Sequence, residues 1–222
     1  MNRTERLSIG GLVGPIEIAL DFPVGTPTGC AFVGHPHPLY GGTLDNKVAA
    51  TLARAFAALG WIAVRPNFRG VGGSAGTHDH GNGETEDFLH LIAQVPQQLG
   101  VADGAQAIGG FSFGSFVAAR AAERLAAQGA APRYQIYVGS AAGKWPMPKV
   151  PAHALVVHGE HDETIPLGDV LDWARPQDLP VVVLPGADHF FHKRLSILKQ
   201  LIVNHVAAQR LLAVGPQVDA PK

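Results

Sequence analysis

Three residues of this chain have the types needed for acyl transfer and stand in an order that suits it: Ser112, Asp162 and His189. Ser112 lies in Gly110-Phe111-Ser112-Phe113-Gly114, after an apolar stretch that reads as a strand and before an alanine-rich stretch that reads as a helix. A serine placed in a strained strand-to-helix turn needs small residues two before and two after it, because backbone there runs against backbone. The same placement puts Oγ at the start of a helix, where free N–H groups favour developing negative charge. By itself the pattern also fits a glycine-rich turn with an incidental serine. A serine hydroxyl is a weak nucleophile, so the catalytic reading needs a base and a group that orients the base. His189, in Gly186-Ala187-Asp188-His189-Phe190-Phe191, and Asp162, in Glu160-His161-Asp162-Glu163-Thr164, supply both. Asp188 is the rival acid, but neighbouring side chains in an extended loop point apart, which favours Asp162.

These groups can meet only if the elements around them bring them together. Ile16–Phe22 alternates apolar and polar residues as a strand does, and Gly29–Gly34 is a short apolar run of the kind found in a strand covered on both faces. A helix should follow from an N-cap at Asp45 to a stop at Gly60, with Val48, Leu52, Ala55, Phe56 and Leu59 on one face. Trp61–Arg65 reads as a strand, Gly70–Gly83 as a glycine-rich loop, and about Glu84–Leu99 as a helix that Pro96 ends or kinks. The alternation continues with strand Ala105–Phe111, helix Phe113–Gln128, strands Tyr134–Gly139 and Ala154–Gly159, a helix near Leu167–Ala174, strand Val181–Pro185 and a last helix from about Phe191 to Leu212. Strands alternating with helices predict an α/β fold with a mostly parallel sheet and helices on both faces. Ser112, Asp162 and His189 then all fall in loops at the carboxyl ends of strands, where open α/β sheets gather their ligands.

The chain has 222 residues, a length that suits one domain over 1–222, with about 213–222 expected to be a frayed tail. Lys and Arg number 17 against 18 Asp and Glu, with no run of like charge, so no basic footprint for nucleic acid is expected. Cys30 is the single cysteine, which excludes an intrachain disulfide, and its apolar neighbours read as a buried strand. No stretch reaches the ~20 apolar residues of a membrane span, and glycines, a proline and a glutamate interrupt the N-terminal segment before a signal-peptide core forms. The expectation is a cytoplasmic protein with no membrane partner.

Segments 35–48 (HPHPLYGGTLDNKV), 65–76 (RPNFRGVGGSAG), 109–115 (GGFSFGS), 158–166 (HGEHDETIP) and 186–191 (GADHFF) resemble the small, lidless α/β-hydrolases of bacteria, usually described as predicted serine esterases and similar to dienelactone hydrolases. The likeness covers nearly the whole chain. It implies an α/β-hydrolase fold without a cap domain, with Ser112 as nucleophile, Asp162 as acid and His189 as base, no cofactor and a small-molecule acyl substrate. Dienelactone hydrolase itself uses cysteine as nucleophile, so serine at position 112 favours ordinary esters. In such a fold one oxyanion donor is the N–H of Phe113, and the second comes from the loop His35-Pro36-His37-Pro38-Leu39-Tyr40. Pro36 and Pro38 have no N–H, which leaves His37, or else Leu39 or Tyr40; His37 is expected. The connection from about Ser140 to Pro151 is too short for a packed lid, which predicts an open cleft and a preference for short acyl groups. Tyr40, Leu39, Trp145 and Met147 are its expected walls; Trp145 and Met147 could instead form a homodimer contact.

Other readings use the same residues. His78, Asp79, His80, His158 and His161 could ligate a metal, but the chain lacks a pair such as H-E-x-x-H and lacks a Cys/His cluster, so no metal is expected. His35, His158 and His161 read more simply as partners of strand-end backbone. Asn67, Arg69, Gly70, Gly72, Gly73 and Ser74 read as a tight glycine turn with Arg69 as an internal anchor, since a phosphate loop would need a Lys-Ser/Thr ending or G-x-G-x-x-G. A thioesterase or aminoacyl peptidase would use the same three residues, and a non-catalytic member of the fold is the alternative of a different class.

Overall fold

The computed structural model describes residues 3–101 and 105–214. Its centre is one eight-stranded sheet in the order β1-β2-β4-β3-β5-β6-β7-β8. The strands are β1 (Thr4–Gly10), β2 (Pro15–Asp21), β3 (Cys30–Gly34), β4 (Ile62–Pro66), β5 (Ala105–Phe111), β6 (Tyr134–Val138), β7 (Leu155–Gly159) and β8 (Val181–Leu184). β1 and β2 pair antiparallel with each other, as do β2 and β4, and all remaining pairings are parallel.

The helices are α1 (Lys47–Ala58), α2 (Asn82–Leu99), α3 (Phe113–Ala127), α4 (Leu167–Ala174) and α5 (Leu195–Val214). They divide between the two faces. Phe32, Ile108 and Tyr137 pack with α2, α3 and α4 on one face, whereas Ala31, Val33, Ile136 and Val138 pack with α1 and α5 on the other. Successive residues of a strand thus enter opposite cores, so the central strands read as unbroken apolar runs. Cys30 is fully buried in the first core, and burial pushes its thiol up to about 12.

Several boundaries differ from those expected. β1 was not anticipated: it is an edge strand whose Thr4-Glu5-Arg6 half faces solvent, so its sequence carries too little apolar signal. α1 is capped by Asn46, whose Oδ1 accepts from the amides of Val48 and Ala49, while Asp45 takes an ion pair with Arg6 instead. α2 begins at Asn82 and runs through Pro96 to Leu99, so the proline costs one backbone bond without ending the helix. The last helix begins at Leu195 because Phe191 and Lys193 have positive φ, 53° and 60°, which no right-handed helix accommodates. Of the tail expected over about 213–222, Ala213 and Val214 close α5 and the rest lies outside the described residues.

The chain leaves β3 toward β4 on one side and later returns to β5 on the other. The loops after β3 and β5 therefore diverge and open a crevice at the carboxyl end of the sheet.

Candidate active site

Ser112 sits between β5 and α3 with φ 54° and ψ −125°, a conformation that costs a non-glycine residue about 1–3 kcal/mol unless its surroundings enforce it. They do. Its N–H donates to Val138 O at 3.0 Å, and its carbonyl accepts from Ser115 N at 2.8 Å and Ser115 Oγ at 2.6 Å. Ser115 Oγ also accepts from Ala141 N at 3.1 Å, which ties α3 to the loop after β6. A Cβ on Gly114 would strike the carbonyl oxygens of Gly34 and His35, and one on Gly110 would strike Gly114 O. Both flanking glycines are therefore needed because three backbone segments meet there without side chains between them.

Asp162 follows β7. Its Oδ1 accepts from Thr164 N at 2.9 Å and Ile165 N at 2.7 Å, and its Oδ2 accepts from His189 Nδ1 at 2.7 Å. A carboxylate can only accept, so His189 Nδ1 is the donor, and in the neutral imidazole the lone pair is on Nε2. The His189 ring rests on Phe111, centroids 4.8 Å apart, and only 5% of the residue is exposed. Asp188 binds His192 instead, through Nδ1 at 2.5 Å and N at 3.0 Å. Among the described residues the Ser112 hydroxyl makes no hydrogen bond, yet Ser112 and His189 line one hollow of about 220 Å³. Catalytic hydrogen bonds often tighten only when substrate is bound.

His158 is fully buried and donates from Nε2 to Ile165 O at 2.9 Å, with that nitrogen 3.4 Å from Asp162 Oδ2. Burial holds its pKa below the usual histidine value. His35 is likewise committed to backbone: Nδ1 donates to Pro36 O at 2.6 Å, and Nε2 accepts from Phe68 N at 2.9 Å. His161 is exposed beside Glu160.

In the loop after β3, His37 Nδ1 accepts from Leu39 N at 3.2 Å, and His37 O accepts from Tyr40 N at 3.2 Å. The amides of Leu39 and Tyr40 are thus occupied, while those of His37 and Phe113 have no hydrogen-bond partner among the described residues. The loop is anchored from behind: Asn67 Oδ1 accepts from Leu44 N, and Arg65, buried against Asp21, also donates to Leu44 O. Arg69 forks onto Asp87 at 2.7 and 3.0 Å, in a turn where Gly70, Gly72 and Gly76 have positive φ. Asp79 and Glu84 spend their carboxylates on amides at the start of α2. Among the described residues, no three His, Cys, Asp or Glu side chains converge on a metal-sized site.

A second hollow, of about 340 Å³, adjoins Ser112 on the side of Trp145 and Phe113. Tyr40 borders both hollows. Two expected walls fall elsewhere. Leu39 is 69% exposed on its short 3₁₀ turn and lines neither hollow, and Met147, whose N–H donates to Trp145 O, packs onto the core and lines neither. Lys144, Thr164, Ile165, Asn46 and Phe190 also line the hollows but carried no spacing signal in the sequence. The connection between β6 and β7 holds no helix or strand, so nothing covers the crevice there. Among the described residues no helix is long and apolar enough to cross a membrane.

No family model matches the chain. Over 93% of its length it superimposes on a lidless α/β serine hydrolase from Xanthomonas campestris, of which it covers 95%, with 35% identity and a TM-score of 0.83. An α/β serine hydrolase homologue from Coxiella burnetii is 36% identical, with 90% of this chain and 96% of that one covered and a TM-score of 0.76. An uncharacterized protein of Rickettsia prowazekii is 30% identical in an alignment 190 positions long that covers 79% of this chain and 77% of the other.

Proposed function

The chain belongs to the lidless α/β serine hydrolases, and from that premise we propose that it cleaves small carboxylic esters through an acyl-enzyme intermediate on Ser112. The observation that carries the reading is the 2.7 Å hydrogen bond from His189 Nδ1 to Asp162, which in the neutral ring puts the lone pair on Nε2, with His189 lining a hollow that Ser112 shares. Nε2 takes the Ser112 proton as Oγ attacks the ester carbonyl, and Asp162 stabilises the imidazolium that forms. The oxyanion is held by the N–H groups of Phe113 and His37, each worth on the order of 10²–10³ in rate. Collapse breaks the bond to the alcohol oxygen, which receives the proton from His189. Water, activated by the same histidine, then releases the acid and restores Ser112.

Serine rather than cysteine at position 112 separates the chain from dienelactone hydrolases and supports an ester substrate. The test is labelling by a fluorophosphonate probe, followed by turnover of acyl esters, thioesters and aminoacyl amides. Wild-type protein should label and Ser112→Ala should not; labelling of the variant would sink the assignment. Thioester or amide turnover exceeding ester turnover would keep the mechanism and change the leaving group.

A further inference from the structure

The two hollows at Ser112 differ in what lines them, and only the smaller contains His189. When the tetrahedral intermediate collapses, His189 must hand its proton to the departing oxygen, so that oxygen lies on the histidine's side. The 220 Å³ hollow with His189 is then the alcohol side, and the 340 Å³ hollow is the acyl side. Besides His189, the alcohol side has Pro36, Gly41, Gly42, Asn46 and the aromatic Phe190 as walls of its own. Asn46 Oδ1 is spent on capping α1, which leaves its amide N–H₂ as a polar surface there.

The acyl side joins polar groups, Lys144 and Thr164 among them, to an aromatic wall. Trp145 and Phe113 line it with Ile165, the two rings lying 4.9 Å apart at 63°. Trp145 is also stacked on Phe116, at 5.3 Å and 27°, and lies 5.7 Å from His37. Contacts on several sides fix the indole in place before any substrate arrives, so little ordering is needed on binding. A cavity of ~150 Å³ already accommodates benzene, so the acyl side has room for a planar ring, and offset or edge-on contact with fixed aromatic faces favours a flat group over a puckered one.

We propose that the preferred substrates are esters of planar aromatic acids with short alcohols, the ring lying against Trp145, which the buried Phe113 backs, and the alcohol leaving past Asn46. This rests on Ser112 being the nucleophile. The reaction is hydrolysis: the acyl–O bond breaks, Ser112 Oγ holds the acyl group, and water releases aromatic acid and alcohol.

The deciding comparison is methyl 3-phenylpropanoate against methyl 3-cyclohexylpropanoate, which share a leaving group, a chain length and nearly the same chemical reactivity. The expected result is a kcat/KM at least tenfold higher for the flat ring, falling below threefold in Trp145→Leu and Trp145→Ala. A ratio near one, or one favouring the more hydrophobic cyclohexyl ester, in the wild-type protein would overturn the proposal whether or not the variants fold. Lengthening the alcohol from methyl to butyl should change kcat/KM by the same factor in wild type and Trp145→Leu; a variant altered there and not in the acid series would reverse the assignment of sides. Phenyl acetate turnover and fluorophosphonate labelling, both lost in Ser112→Ala, separate the two levels. If they fail, the nucleophile is wrong; if they hold and the ratio is near one, only the aromatic preference is wrong.

Discussion

His158 Nε2 lies 3.4 Å from Asp162 Oδ2, the same oxygen that accepts from His189. The His158 proton is directed mainly to Ile165 O, so this histidine pins the far end of the turn in which Asp162 is held. Because burial keeps it neutral, it does not compete as an ion for the carboxylate. Replacing it by Phe keeps the volume and removes the donor. Turnover should fall roughly tenfold at constant KM, less than the ~100-fold that a full ångström of misplacement brings. An unchanged kcat in a folded His158→Phe protein would mean that the amides of Thr164 and Ile165 suffice to fix Asp162.

Ser112→Ala and His189→Ala should each remove nearly all ester turnover, by about 10⁶ in kcat when the residues act as one unit. Combining them should then cost little more. Additive losses in the double variant, read by single-turnover kinetics, would show two independent contributions and contradict a shared proton path.

Acidification should destabilise the fold before carboxylates titrate. Burial lowers the pKa of His35 from 6.5 to about 4, with the hydrogen bond to Pro36 O opposing the shift. The unfolded chain therefore binds a proton at this residue between about pH 6.5 and 4 while the folded one does not, and stability is fully present above 6.5 and lost as pH falls toward 4. The loss is about 3 kcal/mol across that window. His158 and His37 are shifted in the same direction by burial. Urea midpoints at pH 7 and pH 4.5 measure the effect. His35→Gln should be less stable at pH 7 but flatter with pH; an equally steep fall would place the titration elsewhere.

Linear acyl chains should gain little beyond roughly six carbons. The connection between β6 and β7 lays no helix or strand over the crevice, and each methylene left in water forgoes about 0.8 kcal/mol. Values of kcat/KM for aryl esters from acetate to decanoate, below their aggregation limits, would settle this. A maximum at ten carbons would require an apolar tunnel.

What the sequence makes legible is the set of residues whose environment is local. The spacing of Gly110, Ser112 and Gly114 predicts a turn because the crowding of Gly110 on Gly114 acts within five residues, whereas the press of Gly114 on Gly34 and His35 is not local, and the apolar runs predict central strands because both of their faces are covered. Edge strand β1 escapes detection for the opposite reason: most of its side chains meet water. The choice of Asp162 over Asp188 follows from chain geometry, and Asp188 is in fact committed to His192 one turn away. The second tie of Ser115, to Ala141, joins elements 26 residues apart, and no local pattern encodes it. Leu39 and Met147 were misplaced because the apolar character of a loop residue does not reveal whether its turn sends it to the cleft, the core or the solvent.

Gly34, Gly110 and Gly114 press backbone directly on backbone, and their contact joins the loop after β3 to the loop that carries Ser112. The approach of those two loops is set there by main-chain atoms, which have no rotamers to choose among. The wall of the acyl side, by contrast, hangs on residues 143–148, a loop outside the regular elements. On the proposed reading, reactivity and selectivity are carried by separable parts of the chain. Exchanging residues 143–148 between relatives should transplant substrate preference while leaving the chemical step intact, whereas any side chain added at the glycine joint would disturb every substrate alike.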